Sequence, residues 1–242
     1  MLTNKQIKLI NSLHSKKGRT ENGLFLVEGE KGILEVLDSS YQIEFLVINE
    51  DYAHQFSSIK QSIYFLPKNE ITKLSTLTIN QFGIAVVKMK NLISFETLNP
   101  YVLVLDGVRD PGNLGTIIRI CDWYGIDQIV LSADCTEFYN PKVISATMGS
   151  FKRVKCLYTD LPAFLTSHPN YSILGADLDG ENIHAFEFPD RAFLIMGSES
   201  HGIREDLHNI IQQKITIPRY GGAESLNVAI STGIILDNLK RN

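Results

Sequence analysis

Short apolar runs separated by polar or helix-periodic stretches recur along the whole chain, and they fall into two groups. Residues 1–20 read as a polar helix, and an apolar strand, Leu24 to Val27, follows it. After Glu28-Gly29 comes a helical stretch from Lys31 to Leu37. Ile43–Ile48, Ile63–Leu66 and Phe82–Val87 have the apolar, β-branched and aromatic make-up of strands, with helical or polar segments between them. This predicts a small mixed α/β domain over residues 1–90. The pattern weakens between Lys88 and Asn99-Pro100, so residues 91–99 are assigned to a linker.

From Tyr101 the alternation strengthens. Tyr101–Leu105 is apolar throughout, as expected of a strand covered on both faces. A turn over 106–112 leads to a helix that runs through Tyr124 and stops at Gly125. Strand Gln128–Leu131, helix Pro141–Met148, strand Val154–Tyr158 and helix Leu161–Ser167 follow. Next come strands Ser172–Ala176 and Ala192–Met196, then a short helix near Glu205–Ile210. Strand Ile215–Ile217 and a long helix, Leu226–Lys240, close the chain. Strands separated by helices predict a mostly parallel sheet with helices on both faces, here a single domain over 100–242. No internal repeat or low-complexity tract interrupts it.

Composition narrows the class. At 242 residues, 44% hydrophobic and 21% charged, the chain is an ordinary globular α/β protein with enough length for a real core. The start, Met1-Leu2-Thr3-Asn4-Lys5, lacks the apolar stretch of a signal peptide, and no run has the length of a membrane span. Cys121, Cys135 and Cys156 are scattered, with no C-x-x-C pair, and suit a reducing, cytoplasmic setting. A net charge of −4 argues against a protein that coats nucleic acid, yet phosphate contacts need only local basic surface. Lys5, Lys8, Lys16, Lys17 and Arg19 supply such a cluster without an acid among them, and Lys152, Arg153 and Lys155 form a second. Taken alone, either cluster reads better as a solvated helix face.

A parallel α/β sheet binds its ligand in loops at the carboxyl ends of its strands, and three such loops stand out. The first runs Asp106-Gly107-Val108-Arg109-Asp110-Pro111-Gly112-Asn113-Leu114-Gly115 into a helix carrying Arg119. Leu114, Ile117, Ile118 and Cys121 form the apolar stripe of that helix, and Arg119 lies off it, where pairing with Asp122 is, taken alone, the plainer explanation. The second loop is Met196-Gly197-Ser198-Glu199-Ser200-His201-Gly202-Ile203; its Glu199 would also serve as a plain helix cap. The third is Ile217-Pro218-Arg219-Tyr220-Gly221-Gly222-Ala223-Glu224-Ser225-Leu226-Asn227-Val228, where Ser225 or Asn227 would suit an N-cap. Each has a plain structural explanation, but three at three strand ends require three coincidences. Dinucleotide and P-loop glycine motifs, the G-x-S-x-G elbow and metal-ligand spacings are absent, so no metal is expected.

At these loops the sequence resembles the SpoU/TrmH branch of the knotted methyltransferases. The family's asparagine followed six residues later by arginine matches Asn113 and Arg119. Its G-x-E-x-x-G matches Gly197, Glu199 and Gly202. Its I-P-x-x-G with S-L-N-V matches Ile217, Pro218, Gly221, Ser225, Leu226, Asn227 and Val228. The motifs occur in family order from about residue 100 to the end. The first ninety residues resemble more loosely the small substrate-binding domain, similar to ribosomal protein L30e, that precedes the catalytic domain in many members. Ser198, Ser200 and His201 replace the family's usual residues in the second motif, and Arg219 stands where relatives often carry a smaller or apolar residue.

The resemblance implies a deep trefoil knot in the C-terminal domain and S-adenosylmethionine as cofactor. It places Met196, Gly197, Glu199, Gly202, Ile217, Pro218, Ser225, Leu226 and Asn227 around that cofactor, with Thr147 and Gly149 on its adenine side. It makes Arg119, Asn113, Glu199, Ser225 and Asn227 the catalytic set, for attack of an RNA ribose 2′-hydroxyl on the sulfonium methyl. Because a guanidinium stays protonated, Arg119 is expected to grip the adjacent phosphate and stabilise alkoxide charge, with Asn113 fixing its direction. Lys16, Lys17, Arg19, Arg109 and Arg219 are the expected RNA contacts. A homodimer through the C-terminal domain is implied, as is an RNA substrate, ribosomal (23S) before transfer RNA. The alternatives are an inactive RNA-binding protein of the same fold and a small-molecule enzyme with another cofactor.

Overall fold

The computed structural model describes residues 2–90, 94–198 and 201–241. Its contacts divide the chain into two units, Met1–Asn91 with Glu137–Lys152, and Leu92–Thr136 with Arg153–Asn242.

In the first unit the polar stretch at the start is two helices, α1 (Asn4–Ser12) and α2 (Lys16–Asn22), and not one. Two caps cause the break. Thr3 and Gln6 form a capping box on α1, and the Ser15 side chain accepts from the Gly18 amide to start α2. β1 (Leu24–Glu28), β2 (Ile43–Asn49), β3 (Ile63–Leu66) and β4 (Gly83–Lys88) form a sheet in the order β1-β4-β2-β3. Its pairs are antiparallel except β2 with β3. α3 (Glu30–Leu37) and α4 (Lys68–Leu74) complete the regular elements, and Ile10, Leu13, Leu26, Val47, Ile71 and Ile84 fill one core.

The expected boundary at 91–99 falls between the two units' main segments, and the contacts add one exchange. Residues 91–93 lie outside the described residues, and the segment Glu137–Lys152, expected within 100–242, belongs to the first unit. Its attachments are specific. Arg19 pairs with Glu137 through Nε (3.1 Å) and Nη2 (2.6 Å), the Phe25 and Tyr139 rings lie 4.5 Å apart, and Lys152 Nζ lies 2.8 Å from Glu35. No periodicity in one sequence reports such long-range partners.

The second unit carries a six-stranded sheet, all pairs parallel. Its strands are β5 (Tyr101–Leu105), β6 (Gln128–Leu131), β7 (Lys155–Tyr158), β8 (Ser172–Asn182), β9 (Ala192–Met196) and β10 (Gln213–Thr216), in the order β10-β8-β9-β5-β6-β7. β5, β9 and β6 lie inside the sheet, which is why their runs are apolar on both faces. β8 runs six residues beyond the expected Ala176, through an exposed stretch where a register shift at Lys214/Ile215 lets β10 follow it. α5 (Pro111–Trp123) packs on the terminal helix α9 (Val228–Arg241). α7 (Leu161–Thr166) and α8 (Glu205–His208) help cover Val102, Val104, Phe193 and Ile195. The parallel topology sends the loops after β5, β6 and β9 to one sheet end.

Candidate active site

The loop after β5 is fixed from its first residue. Asp106 is buried, and its Oδ2 accepts from the Arg204 amide at 2.8 Å. Arg204 Nε lies 2.7 Å from Oδ1 as an ion pair, while Oδ1 has no hydrogen bond among the described residues. Burial pushes the Asp106 carboxyl above its ordinary range, against the pull of the Arg204 amide and guanidinium. Sequence reasoning assigns no role to this aspartate, although an ionisable residue directly after a fully apolar strand is the available signal. Asp110 then caps α5 by accepting from the Asn113 amide at 2.8 Å, with Pro111 in the first turn.

The first and third motifs meet. Asn227 Nδ2 donates to Asn113 Oδ1 at 3.0 Å, while Asn227 Oδ1 accepts from the amides of Ala229 (3.0 Å) and Ile230 (3.3 Å). Asn227 is therefore both the N-terminal cap of α9 and a bridge to Asn113. Arg119 is exposed on α5 and makes no hydrogen bond or ion pair with a described residue. Its expected helical neighbour, Asp122, is taken by Arg153 at 2.8 Å. Asn113 thus orients Asn227. An exposed guanidinium is a permanent charge free to engage a phosphate or a developing alkoxide.

Beside these residues lies a cavity of about 660 Å³, within the size range of small-molecule sites. Met196, Gly197 and Gly202 line it from the second motif, and Ile217, Pro218, Arg219, Ser225 and Leu226 from the third. The backbone explains the glycine at 197: a Cβ there would overlap the backbone of Gly202 and Ile203. Ser198 and Gly202 exchange backbone hydrogen bonds of 3.0 and 2.9 Å, which closes this loop on itself. Glu199 and Ser200 lie outside the described residues.

One side of the cavity was not expected. Asp177, from the exposed extension of β8, lines it, with Lys214 Nζ at 2.9 Å and His208 Nδ1 at 3.9 Å. Burial pushes the Asp177 carboxyl up, but the Lys214 hydrogen bond and nearby amides outweigh it and hold the carboxyl below its usual range. Exposed Tyr220 also stands on the lining.

Thr147 and Gly149 belong to the first unit. Thr147 is buried with its hydroxyl donating to Ile144 O at 2.7 Å, and Gly149 packs against the Glu35 side chain. Arg19 is not an RNA contact. It is 2% exposed, donates to the Leu13 and His14 carbonyls at 2.8 and 3.0 Å, and is held by Glu137. Lys16 and Lys17 are exposed on α2, with Glu21 3.8 Å from Lys17; Arg109 is exposed but paired to Asp134 at 3.0 Å. Arg219 is exposed at the cavity. Among the described residues no cluster of side chains is suited to hold a metal ion.

Comparison with known proteins gives independent matches. A family model described as the SpoU rRNA Methylase family matches residues 100–237, and an MRM3-like substrate binding domain matches residues 4–84. The 23S rRNA (guanosine(2553)-2′-O)-methyltransferase RlmP of Bacillus subtilis is 29% identical over 242 residues, covering 98% of this chain and 96% of that protein. A solved structure assigned to the TrmH family of RNA methyltransferases, from Porphyromonas gingivalis, is 34% identical with a TM-score of 0.89 over 100% of both chains. An AdoMet-bound rRNA methyltransferase from Sinorhizobium meliloti is 27% identical with a TM-score of 0.87, covering 100% of this chain and 96% of that one.

Proposed function

The chain belongs to the SpoU rRNA methylase family, and we propose that it carries the methyl group of S-adenosylmethionine to a ribose 2′-hydroxyl of a guanosine in 23S ribosomal RNA. The observation that carries this is the joining of the first and third motifs through Asn113 and Asn227, beside a cavity lined by Met196, Gly197, Ile217 and Leu226. The cavity suits S-adenosylmethionine: it offers an apolar wall and backbone groups, and its glycine lets the chain approach closely. The cofactor supplies an electrophilic methyl group. The protein's task is to present the hydroxyl in line with it and accommodate the charge left when the proton departs. Arg119 is the exposed cation for that task, and Arg109, Arg219, Lys16 and Lys17 are candidate contacts to RNA. Glu199 keeps its proposed role from the motif alone.

The same proposal includes a knot threaded through the loops at the cofactor, a homodimer and a cytoplasmic location. Membership of the SpoU rRNA methylase family supports the knot. Trp123 on α5 and Ile230 on α9, 84% and 56% exposed on helices that pack together, support burial against a second copy. The buried thiols of Cys121 and Cys135 suit a reducing compartment. The test is transfer of labelled methyl from S-adenosylmethionine to bulk ribosomal and transfer RNA, followed by mapping of 2′-O-methylation. Label in a 23S guanosine is expected. Label confined to transfer RNA would overturn the acceptor, and none in any RNA would overturn the activity.

A further inference from the structure

A second cavity, of about 270 Å³, opens next to the cofactor cavity and shares Ser198, His201 and Gly202 with it. Its other walls are Asp106, Gly107, Arg109, Asp134 and Arg204. The lining is mixed in charge, and each guanidinium already has a carboxylate: Arg109 with Asp134 at 3.0 Å and Arg204 with Asp106 at 2.7 Å. A phosphate would therefore meet two carboxylates with no uncommitted cation. A neutral ligand with donors and an acceptor on one edge fits better. The site is also built to stay open and polar. Asp106, 1% exposed, leaves Oδ1 without a hydrogen bond at the cavity. Gly107, where φ is +68°, leaves the floor without a side chain: a Cβ there would meet Asp134 Oδ2 at 3.4 Å and Ser198 Cβ at 3.6 Å in ordinary contact, but on a left-handed backbone that side chains rarely adopt. Asp134 is the accessible carboxylate. The Ser132 hydroxyl, ahead of Arg109, holds it below its usual range, so it is an acceptor at neutral pH.

We propose that this cavity holds the base of the acceptor nucleotide and selects guanine, Asp134 accepting from N1–H and the 2-amino group while Arg109 donates to O6. The inference rests on the methyltransferase assignment above. Guanine presents an acceptor and two adjacent donors along one edge, and the adjacent Arg109–Asp134 pair presents the complement. Single-stranded RNA bases are read on that edge once splayed from their stack. The two cavities adjoin at Ser198, His201 and Gly202, so a nucleotide whose ribose faces the cofactor can set its base in the second one. Adenine, whose edge lacks the paired donors, would set ring N1 against an ionised carboxylate.

The test uses a synthetic RNA fragment around the mapped nucleotide, with guanosine, inosine or adenosine at the acceptor position. Inosine lacks only the 2-amino group. Wild type is expected to lose about tenfold or more in kcat/KM on inosine, and more on adenosine. Asp134→Asn is expected to treat guanosine and inosine within about twofold of each other. Arg109→Met should narrow the guanosine-over-adenosine preference. Calorimetric titration with S-adenosylmethionine and a thermal melt, both close to wild type, would show that each variant is folded. Equal wild-type rates on guanosine and inosine, or an unchanged ratio in Asp134→Asn, would overturn the base pocket while leaving the methyltransferase assignment standing. Absence of transfer to any RNA would overturn both.

Discussion

Arg119 and Arg19 are the same residue type with opposite fates, and burial separates them. Arg119 sits exposed on α5 without a described partner, so its charge is available to RNA. A guanidinium does not serve as a base at neutral pH; its use is to stabilise negative charge developing on the 2′-oxygen and to hold phosphate through its planar fork. Arg119→Lys keeps the charge and loses the fork. It is expected to lower kcat by about a hundred- to a thousandfold with S-adenosylmethionine affinity near wild type, measured by single-turnover kinetics and calorimetry. Equal loss of both would remove Arg119 from the reaction. Arg19 is buried and forked onto Glu137, and that role was invisible because its partner lies 118 residues away. Its place in a run of lysines made it look like surface.

The elements were largely legible, and their attachments were not. β3, β5, β6 and β9 have the bounds their apolar runs suggest, because period and turn residues are local properties. α6 (Pro141–Ala146) was also foreseen as a helix, but its packing on β1 in the first unit was not. The segment around it depends on the Arg19–Glu137 pair, which is 2% and 15% exposed at the two side chains. Arg19→Met leaves the Glu137 carboxylate with little solvent and no cation. It should cost about 3–5 kcal/mol in denaturant unfolding, whereas Arg19→Met with Glu137→Leu should recover much of that loss. A single variant as stable as wild type would show that the pair does not hold the segment.

At the scale of the whole molecule, exposed Trp123 and Ile230 on two packed helices motivate the proposed dimer. Trp123→Asp with Ile230→Asp should give a folded monomer by sedimentation, with methyl transfer lost; a fully active monomer would sink the need for a second copy. The sequence by itself determined the α/β class, the mostly parallel second sheet and the three loops, because these rest on local periodicity and on motif residues close together along the chain. It also pointed to Asn113, Asn227, Met196, Gly197 and Ile217, which line or adjoin one site. Only the tertiary structure decided which charges are buried and which are free. It buries Arg19 and Thr147, and it sets Asp106, Asp134 and Asp177 on the walls of the two cavities. The physical reason is that a charge's role depends on its solvent and its partner. Asp106 meets Arg204 across 98 residues, and no pattern along the chain carries that distance.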